Sequence, residues 1–81
     1  MLRKIVFEDA EYEYDPREVK SYRNIKRLAR AQKDPSAFFD VAESIFAGKD
    51  EEYAEQLGNS IDKLGRLVAA IIDQEGEPAK N

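Results

Sequence analysis

The sequence predicts an α+β domain, an N-terminal β-hairpin followed by a bundle of three to four helices. Three observations predict it. Residues 3–7 (RKIVF) and 11–15 (EYEYD) gather or alternate β-forming residues on either side of a short acidic link. Asp15-Pro16 and Asp34-Pro35 each set a capping carboxylate before a proline, the residue suited to a first helical position. Two later stretches, 35–48 and 61–72, carry wide apolar arcs at helical spacing. The 81 residues make a single domain over 1–74, and the tail EGEPAKN, 75–81, is expected to be disordered.

A two-residue loop at Asp9-Ala10 would pair Phe7 with Tyr12 and Ile5 with Tyr14, four large side chains on one face. A three-residue loop would instead set Phe7 opposite Glu11 and waste the aromatic. Ala10 suits the positive φ of a type I′ turn poorly. A lone hairpin is marginal in water, so this face is expected to lie on the helices.

The first helix is expected over 16–33, with Glu18 completing a pattern like a capping box. Val19, Tyr22, Ile25 and Ala29 form its inward stripe, Leu28 lies at the edge, and Lys33 closes it favourably against the helix dipole. The central helix reads PSAFFDVAESIFAG. There Phe38, Phe39, Val41, Ala42, Ile45 and Phe46 cover about 160°, against the roughly 100° that one packing face needs. That width makes it the expected middle of the core. Gly48 ends it, and Asp50 can cap a short third helix with Tyr53, Ala54 and Leu57 inward and Gly58 as its stop. Asn59 or Ser60 caps the fourth, 61–74, where Ile61, Leu64, Leu67, Val68, Ile71 and Ile72 share an arc. Gly65 inside that helix costs about 1 kcal/mol relative to alanine, which a closely approaching neighbour helix would explain.

Cysteine and histidine are both absent, which excludes disulfides and the zinc sets built on those residues. No apolar run approaches the ~18 residues of a membrane span, and MLRKIVFEDAEY lacks the apolar stretch of a signal peptide. A soluble protein of the cytoplasm is expected. The net charge of −4 conceals an asymmetry. Residues 16–33 hold seven Lys/Arg and one acid, leaving six bases against sixteen acids elsewhere.

Catalytic chemistry finds little here. Ser21, Ser36, Ser44 and Ser60 lie at helix starts or on polar faces, with no base beside them. Gly48, Gly58, Gly65 and Gly76 are spaced by helix ends rather than by a phosphate cradle. The run Asp50-Glu51-Glu52 has the look of a metal site, but acids in a first helical turn are favoured by the dipole alone. No enzyme and no cofactor are expected. The basic segment is the sharper signal, and three readings are open to it. It can lie on nucleic acid phosphates with Tyr22 stacking, though Tyr22 falls on the apolar side and the acidic remainder repels a polyanion. It can dock on an acidic protein surface. It can also be a solvated face paired with the chain's own acids.

Taken together, VFEDAEYEYD, VKSYRNIKRLA, DPSAFFDVAESIFAGKDEEYAEQLG and IDKLGRLVAAII resemble the tail assembly chaperones of long-tailed (siphovirus-type) bacteriophages and prophages. The likeness spans most of residues 3–74 and is one of element order and residue type. It implies a small non-catalytic protein that coats the helical tape measure protein, keeps it soluble and helps recruit tail tube protein in the bacterial cell. It also implies a programmed frameshift late in the reading frame, and Lys80-Asn81 can be encoded by a slippery A-AAA-AAC run. Nucleic acid binding through the 16–33 segment is the alternative, no membrane contact is expected, and self-association is open. Arg and Tyr dominate binding hot spots, so Arg23, Arg27 and Arg30 beside Tyr12 and Tyr14 form the expected partner surface.

Overall fold

A computed structural model of the chain describes residues 1–76, opening with the antiparallel strands β1 (Arg3–Phe7) and β2 (Ala10–Tyr14). The loop between them is Glu8-Asp9 rather than the expected Asp9-Ala10. Ile5 therefore faces Tyr12, Phe7 faces Ala10, and Arg3 faces Tyr14. Glu8 and Asp9 supply the two positive φ values, 52° and 67°, that a type I′ turn needs, and Ala10 stays in the strand. The register differs from the expected one by two residues, so side-chain parity survives. Ile5, Tyr12 and Tyr14 are buried on the helix-facing side and Phe7 half-buried.

The expected first helix is two, α1 (Pro16–Val19) and α2 (Tyr22–Arg30). Asp15 caps the first, accepting from the Arg17 N–H at 3.0 Å. Ser21 then starts a new helix by accepting from the Asn24 N–H at 3.1 Å. The break at Lys20-Ser21 turns the stripe expected beyond Val19. Tyr22 and Ile25 point outward, 76% and 54% exposed, while Asn24 is buried and Leu28 packs against the core. Lys33 lies beyond the helix, whose last turn holds Arg27 and Arg30.

Helix α3 (Pro35–Ile45) is the core's centre, with Val41, Ala42, Ile45 and the capping Phe46 buried. Phe38 is half-buried, whereas Phe39 is 53% exposed, so the packed arc is narrower than the apolar one. Ala47 and Gly48, at φ 53° and 87°, carry the chain out of it. In α4 (Asp50–Gln56) Asp50 is the first helical residue and not its cap, and Tyr53 with the following Leu57 faces inward. Tyr53 meets Tyr12 and Phe46 edge to face, ring centroids 4.9 and 5.2 Å apart. Its hydroxyl accepts from the Glu13 N–H at 3.1 Å, satisfying a strand-edge donor. The Asp15 N–H donates to the Ile45 carbonyl at 2.8 Å, joining the hairpin's end to α3.

Ser60 caps α5 (Ile61–Gly76), which buries Leu64, Leu67, Val68 and Ile71. Ile61 is 56% exposed. The close approach expected at Gly65 does not occur, since a Cβ there would meet nothing within 4 Å. The helix runs two residues past the expected boundary, so Glu75 and Gly76 are helical rather than tail. The rest of the expected tail, 77–81, lies outside the described residues. No helix among the described residues is long and apolar enough to cross a membrane.

Candidate functional site

The outer face of α2 follows from the rotation at Ser21. Tyr22, Arg23, Lys26, Arg27 and Arg30 line one shallow concavity along it. The Lys26 ammonium lies 5.4 Å from the Tyr22 ring centroid, within cation–π range. Arg23, Lys26, Arg27 and Arg30 make no ion pair among the described residues. The reading in which this face is neutralised by the chain's own acids does not hold for them.

A partly buried polar cluster around Asn24, beneath the helix, sets its orientation. The Asn24 amide donates to the Glu18 carbonyl at 2.8 Å and to the Ser44 hydroxyl at 3.0 Å. Ser44 in turn donates to the Glu18 carboxylate at 2.6 Å. Every member is satisfied, so the cluster stabilises one packing of α1, α2 and α3 over others. Arg27 is part of it, donating to the Asn24 side-chain oxygen at 3.0 Å, and is half-buried. Arg23 and Arg30 are exposed. Of the predicted partner surface the structure thus brings Arg23, Arg27 and Arg30 together and adds Lys26 and Tyr22.

Tyr12 and Tyr14 do not belong to it. They are 2% and 0% exposed, because their strand face is the one that covers the helices. Burial pushes the Tyr12 phenol above its ordinary range, with Glu8 and Tyr53 adding to it.

Tyr14 instead serves a second cluster, around Glu75, a residue expected in the tail. The Glu75 carboxylate is buried and accepts from Arg3 at 2.9 and 2.7 Å and from the Tyr14 hydroxyl at 2.6 Å. The Lys20 ammonium stands 3.8 Å away, and Gln74 donates to the Tyr14 oxygen at 2.6 Å. Burial alone would raise the Glu75 pKa, but Tyr14, Arg3 and Lys20 outweigh it and hold it below the ordinary carboxylate value. Tyr14 is raised, first by burial and then by its bond to the carboxylate. A general acid or base needs a pKa near the working pH and access to substrate. Glu75 is ionised at neutral pH and its oxygens are occupied by the chain's own donors, which makes it a structural tie. Periodicity could not find it, since an acid beside Gly76 and Pro78 looks like tail.

Among the described residues no group of three or more Asp, Glu, His or Cys is placed to hold a metal ion. Compared with known protein families, curated proteins and solved structures, the chain matches none.

Proposed function

We propose that the chain is a non-catalytic assembly chaperone or adaptor of the phage-tail type, holding a tape measure protein soluble and aiding addition of tail tube protein in the bacterial cytoplasm. The observation that carries the reading is the α2 face, where four cations that make no ion pair among the described residues sit in an otherwise acidic protein. Such a face accelerates encounter with an acidic partner and fixes its orientation more than it adds affinity. The resemblance in element order supplies the kind of partner.

Co-expression with a tape measure protein encoded beside this chain is expected to raise that protein's soluble yield and to co-purify it. Arg23→Glu with Arg30→Glu is expected to abolish the co-purification while circular dichroism stays unchanged. Arg27 is left in place because it is bonded to buried Asn24. Equal solubility with and without the chain would refute the chaperone role, and capture by the double variant would refute the face.

One observation favours a second reading. Tyr22 stands exposed within the cationic face, where a base could stack on it. A nucleic acid reader predicts binding of a labelled single-stranded oligonucleotide that weakens steeply with salt. A flat titration at low salt excludes it.

A further inference from the structure

A second face of the molecule complements the first. Phe39 of α3 and Ile61 of α5, each more than half exposed, form the wall shared by two adjoining concavities. One concavity is apolar, floored by Pro35, Phe38 and Gly65. The open space over Gly65 belongs to this groove. The other is rimmed by Asp40, Glu43, Asp50 and Glu51. None of these four carboxylates makes an ion pair among the described residues. An exposed apolar ridge with acids along one side fits an amphipathic helix that carries cations beside its apolar residues.

The chain has such a helix. On α2, Tyr22 and Ile25 lie one turn apart and exposed, next to Arg23 and Lys26. They do not reach the groove of their own molecule, which touches this region only past the helix's far end, at Ala31 and Gln32. We propose that α2 of one copy docks in the Phe39–Ile61 groove of a second copy, head to tail. Charge decides which faces meet. Two grooves face to face would bring carboxylates together, and two α2 faces would bring cations together, each repulsive. Opposite charges meet only where an α2 meets a groove, and repeating that contact head to tail leaves a free groove at one end and a free α2 at the other, so assembly can continue or close into a ring, the smallest being a reciprocal dimer. This contact is independent of the chaperone reading, and it would compete with any partner held on α2.

The test is sedimentation velocity on the full chain over a range of concentration and salt. Wild-type protein is expected to associate as concentration rises and to dissociate as salt screens the charges. A groove variant, Phe39→Ser with Glu43→Lys, and an α2 variant, Tyr22→Ser with Arg23→Glu, are each expected to be monomeric. Mixed in equal amounts they should form a dimer that grows no further, because one groove and one α2 remain intact. Circular dichroism checks folding; if either variant unfolds, Ile61→Ser with Asp40→Lys and Ile25→Ser with Lys26→Glu replace them. A wild-type monomer at every concentration in low salt overturns the proposal. So does a folded variant that associates like wild type, or a mixture that stays monomeric.

Discussion

At the scale of the residue, Glu75 carries the largest consequence. Its pKa is lowered on folding, so the unfolded chain takes up the proton first as pH falls. The stabilisation is therefore complete above the unfolded value of about 4.3 and is lost as pH drops through the folded one. Urea midpoints measured between neutral and strongly acidic pH should fall more steeply for wild type than for Glu75→Gln. Parallel profiles would show that the carboxylate is not tied. Tyr14→Phe removes one donor from a buried charge and should destabilise by about 1.5–3 kcal/mol at neutral pH. An unchanged denaturation midpoint would count against the 2.6 Å bond.

At the scale of the element, Ser21 and α3 make separable predictions. Ser21→Ala removes the cap that starts α2 and should cost about 0.5–2 kcal/mol. Its further effect is on orientation: with the break weakened, Tyr22 is expected to lose exposure, readable as slower nitration or iodination of that ring. On α3, Ile45→Ala opens a fully buried site and should cost about 2–5 kcal/mol. Phe39→Ala, six residues earlier and exposed, should change stability by no more than about 0.5 kcal/mol. Equal losses at the two positions would contradict the inward face described for the helix.

At the scale of the molecule, first strand and last helix are joined through Arg3 and Glu75, 72 residues apart in sequence. Tyr53 similarly ties α4 to β2 and to Phe46. A chain this short has roughly 4–12 kcal/mol of stability in total, so no part of the core is large enough to persist alone. Unfolding is expected to be a single transition, with tyrosine near-ultraviolet signals and helical far-ultraviolet signals changing together. A hairpin signal lost before the helices would show that the Arg3–Glu75 pair and the Tyr53 contacts do not couple them.

Much of this fold is written locally. Asp15-Pro16, Asp34-Pro35, Ser60 and Gly58 act on backbone groups within three residues, so these three helix starts and this one stop were legible without any tertiary information. Strand parity was legible for the same reason, because a two-residue error in register leaves the same side chains on the same face. The basic character of the α2 face, with Arg23, Arg27 and Arg30, was equally plain. What the sequence could not decide is direction. Ser21 looks like one more polar residue on a long helix, and the partners of Asn24, at Glu18 and at Ser44 twenty residues on, fix the orientation that the Ser21 cap begins and that turns Tyr22 outward. Residue type points Tyr12 and Tyr14 toward a partner while the hairpin pattern already lays their face on the helices, and the packed structure follows the pattern; a remote arginine draws Glu75 out of the expected tail. Local signals are settled by neighbours in sequence; which face is buried is decided by the free energy of contacts that exist only once the chain has closed on itself.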